Sequence, residues 1–226
     1  MADGILLEAE DLALARRGRP VVLGASLRLA AGQRRELTAP SGGGKTTLLL
    51  GLARLLPSAG GRLRLEGRVE GAWPVEAWRG RVIHCPQQPV ALPGSLSDNL
   101  TAAFGLRIRQ GMEPPTAETQ RQELDALGLG GLALEHPASE LSGGQLARLA
   151  VLRALLAGPR VLLLDEPDAM LDASASARLD VRLDAFLAAG GALVCASHRP
   201  RQSDLAWRLV DGRLHDGSQG HPGGLG

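Results

Sequence analysis

The chain has 226 residues, 44% hydrophobic and 22% charged, which is enough apolar material for a buried core and excludes disorder over most of its length. With 25 basic against 24 acidic residues the net charge is +1, which argues against a nucleic-acid partner held by bulk positive charge. Two Phe, three Trp and no Tyr cannot build a base-stacking surface, and Cys85 and Cys195, the only cysteines, form no C-x-x-C pair for a zinc ribbon or dithiol site and fit a reducing compartment.

Acidic residues near the start break up any apolar run, so no signal peptide is expected, and no stretch of apolar residues is long enough to span a membrane. Ile5 to Leu14 reads as a strand, Gly18-Arg19-Pro20 as a turn and Val21 to Leu29 as a second strand. After a turn at Ala31-Gly32, Glu36 to Ala39 leads into a glycine-rich loop. The run Gln33 to Thr38 is unusually polar for a buried central strand. Unpaired buried charge is costly, so these side chains are expected to have partners. Thr47 to Leu56 reads as a helix that Pro57 to Gly61 ends.

Arg62 to Leu65 and Val82 to Cys85 look like short strands, and Pro86 to Gly94 is a loop. Residues 95 to 155 are mostly helical in pattern, with breaks at Gly111–Pro115 and Gly128–Gly131. Val161 to Leu164 and Ala192 to Ala196 are short continuous apolar runs, as in fully buried parallel strands. Ala173 to Ala189 reads as a helix between them. This alternation argues an α/β fold with a mostly parallel sheet. The expected organisation is one domain: a core over about 1–88 and 153–214, a helical insert over about 89–152, and a loose tail over 215–226.

Three motifs carry chemistry. Ala39-Pro40-Ser41-Gly42-Gly43-Gly44-Lys45-Thr46 fits G-x-x-x-x-G-K-[ST] everywhere but the first position, where Ala39 stands. Gly42 to Gly44 let backbone N–H groups wrap closely around phosphates, and the helix that follows offers its positive end. Lys45 is the only lysine among 24 arginines, a compact ammonium that reaches between phosphates where a planar guanidinium does not fit. Thr46 is expected to ligate Mg²⁺. The strand at Val161 delivers Asp165 and Glu166 at its C-terminal end, where ligands bind in open parallel sheets. Asp165 is expected to hold Mg²⁺ and Glu166 to orient or deprotonate an attacking water, although taken alone two acids there are as readily solvated side chains. Ser142-Gly143-Gly144 presents N–H groups to an anion, or is an ordinary helix N-cap.

Leu141-Ser142-Gly143-Gly144-Gln145 is letter for letter the signature motif of the ATP-binding cassette (ABC) ATPases, and the chain resembles that family from about residue 5 to 214. Gln87 resembles the Q-loop glutamine, Ala169-Met170-Leu171-Asp172 the D-loop, and His198 the switch histidine. The resemblance implies a P-loop NTPase cassette: a RecA-like core, an N-terminal antiparallel β-subdomain and a helical insert subdomain. It implies a homodimer closed head to tail around two ATP molecules. Each ATP would lie on Ala39 to Thr47 of one chain and under Ser142 to Gln145 of the other, with Asp172 nearby. Gln87 would touch Mg²⁺ beside Thr46 and Asp165, and His198 would contact the γ-phosphate, so that Glu166, Gln87 and His198 form the catalytic set.

Family members usually stack adenine on an aromatic ring before the P-loop. The first aromatic here is Trp73, and Arg16 stands near that place as a substitute. Separate transmembrane permease subunits are implied, with the cassette cytoplasmic, on the inner face of the membrane. A groove lined by Gln88 to Ser95 would receive a permease helix. The stretch from Cys85 to Leu100 resembles export-type cassettes, and is similar to small metal or iron exporters. The alternatives are a soluble ABC ATPase outside transport, and a nucleotide-binding regulator that has lost turnover.

Overall fold

The computed structural model describes residues 4–197 and 206–216. In chain order, β1 (Ile5–Arg16) and β2 (Arg19–Ala30) form a hairpin, and β3 (Arg34–Thr38) leads through the glycine-rich loop into α1 (Lys45–Leu52). Then come β4 (Ser58–Leu65), β5 (Arg68–Val69), α2 (Val75–Arg81) and β6 (Val82–Cys85). Three helices follow, α3 (Leu96–Thr101), α4 (Ala117–Ala126) and α5 (Gly143–Leu156), and the rest of the chain is β7 (Val161–Asp165), α6 (Ala173–Ala188), β8 (Ala192–Ala196), β9 (Ala206–Val210) and β10 (Arg213–Asp216).

Two sheets result. One is antiparallel, in the order β2-β1-β4-β5, and the other runs β10-β9-β3-β8-β7-β6, parallel except for its β9–β10 hairpin. β7 and β8 are buried at every residue because both faces of the parallel sheet are covered. Their side chains divide with period two. Val161, Leu163, Ala192 and Val194 join the core under the antiparallel sheet and α1, whereas Leu162, Leu164, Leu193 and Cys195 join the core under α3, α5 and α6. Burying each such leucine is worth about 2 kcal/mol.

Several boundaries differ from the sequence expectation. α1 stops at Leu52 rather than Leu56 because Arg54 takes φ 54° and the N–H groups of Leu55 and Leu56 turn back to the Leu50 carbonyl. β4 starts at Ser58, inside the stretch read as a helix stop, because it pairs with the far half of β1 down to Leu14↔Ser58. β10 claims residues 215 and 216 of the expected loose tail through its pairing with β9. The remainder of that tail, 217–226, lies outside the described residues.

The polar central strand β3 has the partners expected of it. Arg34 Nε donates to Glu36 Oε1 at 2.9 Å and Nη1 to Asp180 Oδ1 of α6 at 3.3 Å. Arg35 lies over the Trp207 ring at 5.6 Å, with Nη1 3.8 Å from Asp216, although its Nε and Nη1 find no hydrogen bond. Glu36 is 2% exposed, so Glu36→Ala removes the shorter of the two carboxylate contacts of the half-buried Arg34 and leaves it Asp180 alone. That substitution is expected to cost about 3 kcal/mol, read as a lower urea midpoint at unchanged slope; a loss below about 0.5 kcal/mol, the range of an ordinary surface change, would contradict it.

Cys85 and Cys195 are free and buried in the helix-side core, as their strand positions suggested. Burial pushes the Cys85 thiol up to about 12, so it acts as an apolar filler. Among the described residues no helix is long and apolar enough to cross a membrane.

Candidate active site

The chain between β3 and α1 curls around a cavity of about 290 Å³ lined by Arg16, Pro40, Ser41, Gly42, Gly43, Gly44, Lys45, Thr46, Thr47, Gln87 and Glu166. Two glycines make the curl possible. A Cβ at Gly43 would lie 2.8 Å from the Pro40 carbonyl oxygen and 2.9 Å from the Ala39 methyl. Gly44 has φ 98°, and its Cβ would lie 2.8 Å from Val21 Cγ1. The methyl at residue 39 is therefore accommodated because residue 43 has no side chain. Gly44 is also the N-cap of α1, so the free N–H groups of that helix's first turn open on the cavity.

Carboxylates arrive from the parallel sheet. Thr46 Oγ1 donates to Asp165 Oδ2 at 2.6 Å. Gln87 Nε2 donates to Glu166 Oε2 at 2.6 Å, and Lys45 Nζ stands 3.5 Å from Glu166 Oε1. Lys45 is only 7% exposed. Glu166 has φ 52°, in the left-handed region, and its N–H donates to the Ala196 carbonyl at 2.8 Å. A non-glycine residue there stores about 1–3 kcal/mol of strain, a cost found mostly where function requires it. The turn lets consecutive residues do different work: Asp165 ends β7 against Thr46, and Glu166 meets Lys45 and Gln87.

A hydroxyl (Thr46), a carboxylate (Asp165) and an amide oxygen (Gln87) are hard oxygen donors of the kind Mg²⁺ takes together with water. The Thr46–Asp165 contact already sets two of them side by side, so the residues fit that ion.

The sequence did not single out His84, on β6. Its Nε2 is buried without a hydrogen-bond partner. Burial holds its pKa below the ordinary histidine value, against the pull of Asp165. It lies on β6 opposite Leu163 of β7, and only the pairing of the two strands reveals it.

Ser142 to Gln145 do not line this cavity. Ser142 caps α5: its N–H donates to Gln145 Oε1 at 2.9 Å, and its Oγ accepts from the Gln145 N–H at 3.3 Å. Both sequence readings of the motif survive, since a capped helix start still presents N–H groups. A Cβ at Gly144 would lie 2.8 Å from the Met170 carbonyl oxygen, so the 169–172 segment packs on the motif within one chain. Asp172 Oδ1 accepts from the Ala175 N–H at 2.8 Å and caps α6. His198, expected at the γ-phosphate, lies outside the described residues.

Residues 22–169 match the profile of the family described as ABC transporter. The chain is 35% identical over 212 residues to the cytochrome c biogenesis ATP-binding export protein CcmA of Ruegeria sp. (strain TM1040), spanning 93% of this chain and 90% of that protein. It is 36% identical over 203 residues to the lipoprotein-releasing system ATP-binding protein LolD of Anaeromyxobacter dehalogenans (strain 2CP-C), spanning 86% of this chain and 84% of that one. The solved structure of an ATP-binding subunit of an ABC transporter superposes with a TM-score of 0.81 at 23% identity over 93% of this chain and 90% of that one, a likeness of fold. Neither relative's name carries the metal- or iron-export likeness read from the loop after β6.

Proposed function

Because the chain belongs to the ABC transporter family as an ATP-binding, ATP-hydrolysing subunit, we propose that it powers export through separate permease subunits, with its P-loop cavity completed by a second copy of itself. One observation carries the reading. Lys45, Thr46, Gln87, Asp165 and Glu166 come from separate parts of the chain, with partners up to 119 residues apart joined by a hydrogen bond, and meet at one cavity edged by free backbone N–H groups.

In this proposal residues 39–47 hold the phosphates of ATP, with Lys45 against the β and γ groups. Thr46, Asp165 and Gln87 would hold Mg²⁺, which when bound offsets charge on the phosphate oxygens. Glu166 orients the attacking water and accepts its proton. Gln87 holds Glu166 Oε2 in the structure described here. Turnover therefore requires Gln87 to release that oxygen, which makes it the switch between a resting and an active carboxylate.

Ser142 to Gln145 lie outside the cavity of their own chain, and this favours a head-to-tail pair in which they close the partner's ATP, with Asp172 at the seam and His198 at the γ-phosphate. The loop from Gln88 to Ser95 exposes Val90 at 69% and Leu92 at 39%, an apolar surface suited to a permease helix on the cytoplasmic face. Export is favoured by the printed names of the relatives, an export protein and a lipoprotein-releasing system. Those names also disfavour a soluble ATPase outside transport.

The test is the solution mass of Glu166→Gln with and without Mg-ATP. Doubling of the mass with ATP supports closure in trans. A monomer with ATP bound would overturn closure without a permease. A monomer that binds no ATP would restore the regulator reading.

A further inference from the structure

We propose that the chain carries a second ligand site, for a small hydroxylated monocarboxylate, where the antiparallel sheet meets the edge of the parallel one. A cavity of about 730 Å³ opens there, walled by β1, β2 and β4 and by Arg35 of β3 and Asp216 of β10. The chain entering β10 is tied to β2 by the Leu23 N–H, which donates to the Gly212 carbonyl at 2.6 Å. The cavity shares no lining residue with the 290 Å³ phosphate cavity, so the two sites are separate. Its volume is that of a small-molecule pocket.

Strand register builds the wall. Glu8 stands opposite Arg28 of β2 and Arg64 of β4, and Glu10 stands opposite Arg62. Alternation turns these side chains away from the face on which Leu7, Ala9 and Leu63 enter the core. With Arg35 and Asp216 the cavity holds four arginines against three acids. The one positive charge in excess matches a single carboxylate, whereas a phosphate group carrying about −1.5 to −2 overshoots it. Glu8 holds Arg28 at 3.1 Å. Among the described residues Arg62, Arg64 and Glu10 make no side-chain hydrogen bond or ion pair. Two guanidinium groups are thus open to a carboxylate and one carboxylate is open to ligand hydroxyls.

Arg35 points to a ligand most directly. Its side chain is 11% exposed, and its counter-charge on Asp216 stands 3.8 Å away, beyond hydrogen-bond reach. Nε and Nη1 are buried with no acceptor, which leaves Nη2 as the donor open to the cavity. Stacking on Trp207 at 5.6 Å supplies no hydrogen bond. A guanidinium buried without acceptors is costly, and such groups are exceptions that call for a reason. A ligand carboxylate supplies one, since its two oxygens match a guanidinium in charge and spacing.

The experiment is equilibrium titration of the full chain at fixed ionic strength, in saturating Mg-ADP so that the phosphate loop is filled. The probes are gluconate, sorbitol (the same hydroxylated chain without the charge) and inorganic phosphate. Gluconate is expected to bind with a Kd of about 1 mM or below, and at least about tenfold more tightly than either of the others. Arg64→Gln should weaken gluconate about tenfold or more while ATP turnover holds. Arg35→Met should abolish gluconate binding without lowering the urea midpoint, because Asp216, 41% exposed, stays solvated when its partner goes. A lowered midpoint would make Arg35 a structural ion-pair partner and overturn the proposal. Gluconate no tighter than sorbitol, phosphate tighter than gluconate, or Arg64→Gln without effect on gluconate would overturn it as well, and each would leave the phosphate site standing.

Discussion

Lys45→Ala is expected to lower nucleotide affinity by about a hundredfold or more. The ammonium is nearly buried and stands 3.5 Å from Glu166, with Asp165 also in the site. Without it, a triphosphate carrying several negative charges would face two carboxylates with no buried cation to offset them, only backbone N–H groups, hydroxyls, the Gln87 amide and the exposed Arg16. Truncating one partner of a desolvated charge pair costs about 2–5 kcal/mol, and about 2.7 kcal/mol is a hundredfold. Lys45→Arg should not rescue binding. The cradle is so close that even a Cβ at residue 43 or 44 would collide, and a planar fork is bulkier than an ammonium. Titration of ATP into the variant measures this, and affinity within threefold of the parent would refute the role given to Lys45.

Glu166→Gln should separate binding from turnover. The amide is nearly isosteric with the carboxylate, and its oxygen can still accept from Gln87. It cannot accept the proton of an attacking water. General-base catalysis contributes about 10²–10⁴ in rate, so phosphate release should fall by at least about a hundredfold while ATP affinity stays within a few-fold. Parallel loss of affinity and rate would mean that Glu166 holds nucleotide rather than water. Unchanged turnover would place the base elsewhere.

Much of this was legible in the sequence because the signals are local. A short continuous apolar run bounded by breakers reads as a strand buried on both faces, so Ala192–Ala196 matches its expected limits to the residue and Val161 opens β7 as read; Val82–Cys85, read as a short strand, also keeps its limits. Glycines, one lysine and a threonine at fixed spacing specify a phosphate cradle without reference to anything distant. The polarity of Arg34 to Glu36 was legible as a demand for partners, but the partners were not. Asp180 is far away in the chain and Trp207 further still, and nothing local points to either.

What the sequence by itself determined is therefore the fold class, the family and the identity of most groups that line the 290 Å³ cavity, since these depend on residue type and short spacing. The tertiary structure alone decided how the groups are engaged. Thr46 meets Asp165, Lys45 and Gln87 both claim Glu166, and Ser142 and Gln145 satisfy each other away from the cavity. The hairpin sets three arginines beside the phosphate loop. The contacts of Thr46, Lys45 and Gln87 with the two acids join residues tens to more than a hundred positions apart, and their distances depend on strand register and helix packing. Small differences in either decide whether an acid binds a lysine, an amide or water.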